Sequence, residues 1–339
     1  MDYRDAGVDI TAADAAKGRI KALARATFNP QVLSEIGSFG GMFRPDFSRY
    51  REPVLVASTD GVGTKIKVAI AAGIHDTVGY DLVAHCVNDI LVQGALPLFF
   101  LDYVALGKMD PSKVEQIVSG FSRACAEFGC PLLGGETAEM PGTYAEDDYD
   151  LAGFIVGVVE KDKALPRGVR PGDVLIGLPS QGLHTNGYSL ARKVLFDTLG
   201  HCADTQLPEL GTSVGRALLA PHRSYLAALE PLLERDKIRA LVHVTGGGFP
   251  GNIPRVLPDG LGARVRRGAW SVPALFRLIQ KGGGVGDDEM YRTFNMGIGM
   301  ILVVSPTDLH DVEHSLERRG ETSFVIGSVV PGAGVAYDD

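Results

Sequence analysis

Short apolar runs alternate along the chain with longer segments in which apolar residues recur at helical spacing. Runs rich in valine, leucine and isoleucine are typical of buried strands. The amphipathic segments between them predict helices, one of which begins with Asp110 as N-cap and Pro111 at its first position. Predicted strands cover residues 53–58, 97–105, 131–134, 151–159, 173–178, 240–244, 263–266, 297–304 and 323–329, and predicted helices cover 12–27, 77–93, 110–124, 187–199, 221–234, 272–280 and 308–319.

Strands and helices are intermixed in both halves of the chain, which predicts an α/β or α+β fold. At 339 residues the chain is long for a single hydrophobic core. The composition becomes charged and proline-bearing over residues 161–172. We therefore predict two domains, residues 1–165 and residues 166–339.

Composition and charge limit the classes of function. The net charge of −8 argues against a protein held to nucleic acid by phosphate contacts. The four cysteines show no spacing typical of a zinc finger. The first twenty residues are charged, and the apolar run 151–159 is far shorter than the roughly 20 residues of a membrane span. These features predict a cytoplasmic protein without a membrane or nucleic-acid partner.

The segment STDGVGTK, residues 58–65, follows a predicted strand and combines an acid, two glycines and a lysine. The Walker spacing GxxxxGK[ST] is absent from the chain. An acid beside glycines instead suits a phosphate bridged by a metal ion: Asp60 would hold Mg²⁺, while backbone amides or Lys65 meet phosphate oxygens. A surface turn capped by Asp60 is the alternative.

Two further acids lie in comparable positions. Asp89 shares one face of the predicted helix 77–93 with Asp81, His85 and Asn88, and Glu136 follows the glycine pair of LLGGE. We predict that Asp60, Asp89 and Glu136 converge on one or more hard cations, because Mg²⁺ favours sparse carboxylate ligation completed by water and phosphate. A solvated helix face is the alternative interpretation for Asp89 and its neighbours.

Two loops of the second half each combine a histidine with small residues. His184 precedes a predicted helix, and His243 follows a predicted strand and leads into a triple glycine. Both loops sit where free backbone amides accept an anion, and both histidines are candidates for substrate contact or proton transfer. A structural histidine is the alternative in each case.

Seven motifs in series resemble the phosphoribosylformylglycinamidine cyclo-ligase family, also called aminoimidazole ribonucleotide synthetases. They lie at residues 3–9, 60–65, 87–97, 134–142, 184–189, 245–249 and 289–297, so the resemblance extends over nearly the whole chain. The resemblance implies a cytoplasmic homodimer of two-domain α/β subunits, whose N-terminal domains pair through their sheets, with ATP along the resulting cleft. It implies a ligase of purine biosynthesis that uses ATP and Mg²⁺.

The resemblance also assigns roles to individual residues. The implied Mg²⁺ ligands are Asp60, Asp89 and Glu136. The candidate catalytic residues are His184 and His243, either of which could handle the proton of the reaction. Nucleotide contacts are expected from Asp5, Gly7, Asp9, Gly61, Gly63, Thr64, Lys65 and Asn88, and contacts with the ribonucleotide substrate from Asn186, Thr245, Gly246, Gly247 and Gly248. The chain departs from the family pattern at Arg4, where Lys is expected, at His85, where an apolar residue such as Met is expected, and at Gln181, where a small residue is expected.

The implied reaction closes an imidazole ring on formylglycinamidine ribonucleotide through an imidoyl phosphate. Selenophosphate synthetases share the superfamily but need a reactive Cys or selenocysteine in the N-terminal arm, whereas the first cysteine here is Cys86. Thiamine-monophosphate kinase is a second alternative, and the stretches GGETAEMPG and TGGGF favour the cyclo-ligase. A non-catalytic nucleotide-sensing dimer is a third alternative, although it would be expected to lose one or more of the three acids.

Overall fold

The computed structural model of the chain describes residues 10–338, with side chains from residue 18 onward. Arg4 and the predicted nucleotide contacts Asp5, Gly7 and Asp9 lie outside the described residues. The first half contains four helices and four strands among these residues: α1 Ile10–Arg25, β1 Pro53–Gly61, α2 Lys65–Ala72, α3 Asp76–Leu91, β2 Leu96–Leu106, α4 Pro111–Glu127, β3 Leu132–Glu139 and β4 Tyr149–Glu160.

The four strands of the first half form one sheet in the order β1-β4-β2-β3. β4 pairs antiparallel with both β1 and β2, while β2 and β3 are parallel. The backbones of helices α3 and α4 are in direct contact at Gly79. A Cβ at this position would lie 2.1 Å from the Ile117 carbonyl oxygen, so the close packing requires glycine. This close packing fixes α3, whose inner face carries much of the site described below.

A six-stranded sheet forms the second half, in the order β12 (Val335–Asp338), β9 (Leu261–Arg266), β11 (Phe324–Pro331), β5 (Val174–Pro179), β10 (Ile298–Val304) and β8 (Ala240–His243). All of its pairs are antiparallel except β12 with β9. Every residue of β10 is buried, which is typical of a strand covered on both faces. The helices of this half are α5 Tyr188–Arg192, α6 Val214–Leu218, α7 Leu226–Glu234, α8 Gly248–Asn252, α9 Ala274–Gly283, α10 Asp287–Thr293 and α11 Leu309–Glu317. Two further short strands, β6 Gln206–Leu207 and β7 Thr212–Ser213, pair with each other.

The mixed α/β fold class is confirmed, and all nine predicted strands are present. Asp110 caps α4 as predicted, since its side chain accepts hydrogen bonds from the backbone N–H groups of Ser112 and Lys113. The short helices α2, α6, α8 and α10 were not predicted. The predicted helix 187–199 is α5 followed by a π-helical turn, Lys193–Thr198.

The prediction that the first strand is buried was wrong, because every residue from 53 to 58 is exposed or only partly buried. β1 starts with three exposed residues, among them Val54 and Leu55, and it continues to Gly61, so Asp60 lies within the strand. β1 is an edge strand that pairs only with β4 among the described residues. Its apolar side chains are therefore uncovered in the single chain.

The helix predicted for residues 221–234 begins only at Leu226. The preceding segment is held by side chains of α3 instead of by helical hydrogen bonds. Asp81 Oδ1 accepts from the His222 backbone N–H at 2.6 Å, and Asn88 Oδ1 accepts from that of Tyr225 at 3.1 Å. Asn88 Nδ2 also donates to the Arg223 carbonyl oxygen at 2.8 Å. These bonds join the two halves of the chain along one face of α3.

No helix in the described range combines the length and the apolarity needed to cross a membrane.

Candidate active site between the two sheets

Four histidine rings meet where the two halves of the chain join. His85 comes from α3, His184 from the loop after β5, His222 from the segment before α7 and His243 from the end of β8. All four are buried, and neighbouring ring centroids lie 4.0 to 5.2 Å apart. The face of α3 that carries His85 is thus not solvated, because the second half covers it.

His85 lies between the two acids predicted to bind a cation. Its Nε2 is 2.8 Å from Asp60 Oδ2 and 3.4 Å from Asp89 Oδ2, and its Nδ1 is 2.7 Å from Thr185 Oγ1. Burial disfavours the charged ring, but hydrogen bonds to Asp60 and Asp89 outweigh it and raise the pKa of His85 to about 10. Without a metal ion, an imidazolium therefore bridges the two carboxylates.

His243 is oriented by Asp89 on one side and by His222 on the other. Its Nδ1 lies 2.9 Å from Asp89 Oδ1, and its Nε2 lies 3.0 Å from His222 Nε2. Burial opposes ionisation of Asp89, yet the hydrogen bonds from His243 and His85 hold its pKa well below the usual range. Burial also lowers the pKa values of His243 and His222, so both rings are neutral at pH 7.

His184 is held in a strained loop beside this chain of contacts. Its backbone φ is +62°, and its ring stacks on His222 with centroids 4.0 Å apart. Nε2 accepts a hydrogen bond from the Gln181 backbone N–H at 3.2 Å, whereas Nδ1 is buried and has no hydrogen-bond partner among the described residues. The ring fits only because residue 299 is glycine, since a Cβ there would lie 2.5 Å from His184 Cε1.

A cavity of about 190 Å³ opens beside the histidines. The end of β1 supplies Gly61, the loop after it supplies Gly63, and the His184 loop supplies Thr185 and Asn186. Thr64 Oγ1 lies 3.2 Å from Ser189 Oγ, so these two loops also touch outside the cavity. Five predicted site residues, Asp60, Gly61, Gly63, Asn186 and Asp89, therefore line or adjoin one opening.

Lys65 does not face this cavity, in contrast to its predicted role as a phosphate contact. Its Nζ lies 2.6 Å from Asp81 Oδ2 and donates to the Ala220 carbonyl oxygen at 2.8 Å, and both charged side chains are fully buried. Burial lowers the pKa of Lys65, while Asp81 opposes that shift. A lysine enclosed in this way is unavailable to a phosphate, so this prediction is corrected.

Asn88 is likewise committed to structure. Both ends of its amide bond the segment before α7, and the side chain is fully buried. The prediction that Asn88 contacts the nucleotide is therefore corrected, because its amide is already bonded within the chain.

Glu136 lies away from the other two predicted cation ligands. In the sheet order β1-β4-β2-β3, three strand spacings separate it from β1, which is about 14 Å. One chain therefore brings Asp60 and Asp89 together but does not bring Glu136 to them.

A separate cavity of about 670 Å³ is lined by Glu136, Asp102 and the segment Glu35–Gly41. Burial and the negative charge of Glu136 raise the pKa of Asp102 to about 7. The Gly134-Gly135 pair makes room for this acid, because a Cβ at Gly135 would lie 2.1 Å from Asp102 Oδ1.

The triple-glycine loop closes onto the His184 loop. Asn252 Nδ2 donates to the carbonyl oxygens of Thr245, Gly246 and Gly248 and holds the loop in shape. Gly247 and Gly248 have φ values of +92° and +56°, a region that favours glycine. A Cβ at Gly246 would lie 3.1 Å from Asn186 Oδ1, so the predicted substrate contacts of the two loops are neighbours.

Sequence reasoning missed His222, Thr185, Asp81 and Asp102 as members of these sites. Asp81 shares a helix face with His85 and Asn88, which was a usable signal for its burial. Nothing in the sequence around His222 marks it, because its position depends on α3 binding the segment before α7.

Fold and site together define a two-domain AIR synthase related protein. The family model for the N-terminal domain of AIR synthase related proteins matches residues 48–159, and the model for their C-terminal domain matches residues 170–339. Two solved structures share the fold. Thiamine-monophosphate kinase from Stenotrophomonas maltophilia K279a aligns with a TM-score of 0.68 at 18% identity, over 98% of this chain and 97% of that chain. Hydrogenase maturation protein HypE in complex with ATP aligns with a TM-score of 0.63 at 20% identity, over 93% and 86%.

Within that class, the chain belongs to the phosphoribosylformylglycinamidine cyclo-ligase family. The protein of that name from Trichlorobacter lovleyi is 51% identical over 96% of this chain and 94% of its own length. The one from Desulfitobacterium hafniense strain DSM 10664 / DCB-2 is 51% identical over 99% and 98%.

Proposed function

We propose that the chain catalyses the ATP-dependent ring closure of formylglycinamidine ribonucleotide to 5-aminoimidazole ribonucleotide, with release of ADP and phosphate, in de novo purine biosynthesis. Membership of the cyclo-ligase family at 51% identity over nearly the whole chain carries this proposal. The meeting of Asp60 and Asn186 at one opening between the two halves supports it, as does the contact of both Asp60 and Asp89 with His85 beside that opening.

The chemistry requires activation of a poor electrophile. Nitrogen donation quenches the formamide carbonyl, and its oxygen is a poor leaving group. Transfer of the γ-phosphoryl group of ATP to that oxygen gives an imidoyl phosphate and ADP. The ribose-bearing amidine nitrogen then attacks the activated carbon, the C–O bond breaks with loss of phosphate, and the nitrogen gives up a proton. The protein must position the nucleophile, balance phosphate charge and accept that proton.

Asp60 and Asp89 are the proposed holders of Mg²⁺ at the phosphates. Both carboxylates approach a single nitrogen, His85 Nε2, at 2.8 and 3.4 Å, so their oxygens fit around one cation. When bound, the ion would offset the negative charge of the phosphates. Glu136 would hold a further Mg²⁺ in the separate cavity that it lines. Gly61, Gly63 and Thr64 would offer backbone amides to the nucleotide. The same role is proposed for Asp5, Gly7 and Asp9.

Asn186 and Thr245–Gly248 are the proposed contacts with the ribonucleotide. His184 and His243 are the candidates for accepting the proton. His243 is oriented by Asp89 through Nδ1, which is the arrangement of a base held by a carboxylate. Nδ1 of His184 is buried and has no hydrogen-bond partner among the described residues.

The proton role is tested by replacing each histidine with asparagine and measuring turnover at saturating ATP. The exposed His310→Asn change is the control. We expect at least one of His184→Asn and His243→Asn to lower kcat by about 10²-fold or more, as for loss of a general base. Unchanged turnover in both variants would refute the role.

We also propose a cytoplasmic homodimer of two-domain subunits, divided at residues 165 and 166. The separate sheets of residues 53–160 and 174–338 support the division. The edge of β1 that pairs with no described strand and the exposed side chains of Val54, Leu55 and Phe154 support pairing through the first sheet. Light scattering after size exclusion should give twice the chain mass, and Leu55→Glu should shift it towards the single chain. An unchanged mass for Leu55→Glu would place the contact elsewhere.

A further inference from the structure

We propose that His85 and His243, together with Asp89 and Asp60, form a binding site for a transition-metal dication of the Co²⁺ or Zn²⁺ type, in preference to Mg²⁺. The proposal deepens the function above, because the same opening between the halves would receive the phosphates, but metal binding itself is measured without substrate. One ligand atom each from His85, Asp89 and His243 lies within 4.8 Å of the others.

The separations fit the coordination shell of one ion. Ligand atoms about 2.0–2.2 Å from a shared ion lie about 2.8–3.1 Å from one another at a 90° angle and about 3.3–3.6 Å at the tetrahedral angle. Around His85 Nε2 the distances are 2.8 Å to Asp60 Oδ2 and 3.4 Å to Asp89 Oδ2, and His243 Nδ1 lies 2.9 Å from Asp89 Oδ1. Each ring reaches the Asp89 carboxylate through a nitrogen, and the two ring planes meet at 68° with centroids 5.0 Å apart.

Each imidazole also has a partner for its second nitrogen. A metal-bound histidine usually donates its other N–H to a neighbouring group, which fixes the orientation of the ring. His85 Nδ1 is 2.7 Å from Thr185 Oγ1, and His243 Nε2 is 3.0 Å from His222 Nε2. An ion at His85 Nε2 and His243 Nδ1 would leave both of these hydrogen bonds in place.

Charge and access also favour this position. Two carboxylates would balance the charge of a dication. The Asp60 side chain is 42% exposed, and the 190 Å³ cavity beside it gives the ion a path and leaves room for water or phosphate oxygens. The site is therefore open on one side, as catalytic metal sites are.

A second histidine group, His184, His222 and His243, also gathers ligand atoms. It fits an ion less well. His184 stacks face to face on His222 at 24°, with centroids 4.0 Å apart, so their in-plane lone pairs do not meet at one point. No carboxylate belongs to that group. The observations therefore favour the group built on His85.

The chemistry of the ligands decides which ion is preferred. Mg²⁺ takes oxygen ligands and keeps much of its water, whereas imidazole nitrogen suits Co²⁺, Zn²⁺ and related ions. Replacing two oxygen positions by nitrogens should therefore raise the affinity for transition metals over Mg²⁺.

The test titrates the full chain with Co²⁺, without nucleotide or substrate, and follows visible absorption and heat. We expect one Co²⁺ per chain, displaced by equimolar Zn²⁺ but not by a large excess of Mg²⁺. His85→Met should weaken Co²⁺ binding by about 10–100-fold, the size of effect known for supporting shells of metal sites, or by more. Mg²⁺ affinity should not fall in the same variant. His310→Asn is the control for exposed histidines.

Three outcomes would overturn the proposal. The first is the absence of a Co²⁺ band with no heat of binding, and the second is displacement of Co²⁺ by Mg²⁺ at equal concentration. If His222→Gln abolished binding while His85→Met kept it, the ion would belong to the three-histidine group, which also contradicts the proposal. His85→Gln serves as a second variant, and thermal unfolding checks that both variants fold. Substrate-dependent ADP release in Mg²⁺ is measured separately, so failure of the metal site leaves the ring-closure proposal standing.

Discussion

The ammonium group of Lys65 lies 2.6 Å from the carboxylate of Asp81, and neither side chain reaches solvent. Lys65 also donates to the Ala220 carbonyl oxygen, and Asp81 accepts from the His222 backbone N–H. One buried ion pair therefore links the start of helix α2, helix α3 and the segment that carries His222. The ion pair thereby stabilises the contact between the two halves of the site.

Lys65→Met should destabilise the protein by about 3–5 kcal/mol, because it leaves the Asp81 charge buried without a partner. Chemical denaturation measures the free energy of unfolding. The matched control is Lys67→Met, since Lys67 is half exposed and pairs with Asp148 at the surface. That pair should contribute less than about 1 kcal/mol. Equal losses for the two variants would show that the buried pair has no special part in stability.

Gly299→Ala should damage both stability and turnover. An added Cβ would lie 2.2 Å from Tyr225 Oη and 2.5 Å from His184 Cε1, so one of these groups must move. Overpacking of this kind typically costs about 1–3 kcal/mol. Unfolding experiments and kcat on the same preparation measure the two effects. Gly268→Ala is the control, because nothing lies within 4 Å of its added Cβ; a variant at 299 as stable and active as that control would contradict the packing described.

His75→Gln should flatten the pH dependence of stability. Burial, followed by the charge of Lys113, lowers the pKa of His75 below its usual value, and its Nδ1 lies 3.0 Å from Tyr149 Oη. The folded state therefore binds fewer protons than the unfolded state once the pH falls below about 6.5. The contribution of His75 to stability is full above that pH and is lost as the pH falls towards the folded-state pKa.

The measurement for His75 is the free energy of unfolding between about pH 5.5 and 7.5. The slope of the wild-type curve should exceed that of His75→Gln by up to about 1.4 kcal/mol per pH unit, the value for one proton. His184 and His222 contribute slopes of the same sign in both proteins, so the difference isolates His75. Parallel curves would argue against a neutral, buried His75.

Hydrophobic periodicity was enough to predict most of the fold. Strand and helix patterns depend on local spacing, and all nine strands were found near their predicted positions. The errors arise where contacts with residues distant in sequence determine the local structure. Residues 221–225 are not helical because Asp81 and Asn88 bind their backbone, and β1 is exposed because its outer edge pairs with no described strand.

The site was predictable only in part, for the same reason. A strand-end acid and a helix acid marked Asp60 and Asp89, and the structure brings both to His85. Lys65 beside two glycines suggested a phosphate contact, but Asp81, sixteen residues further along, buries it. Glu136 is kept away by the strand order, which no local pattern reveals.

The most direct test of the proposed function is a coupled assay of ADP release with ATP, Mg²⁺ and formylglycinamidine ribonucleotide, with product formation followed in parallel. Thiamine monophosphate and selenide are the control substrates. We expect ADP and 5-aminoimidazole ribonucleotide to appear in equal amounts with the formylglycinamidine substrate, and no ADP release with either control. No substrate-dependent ADP release, or release with thiamine monophosphate instead, would contradict the assignment.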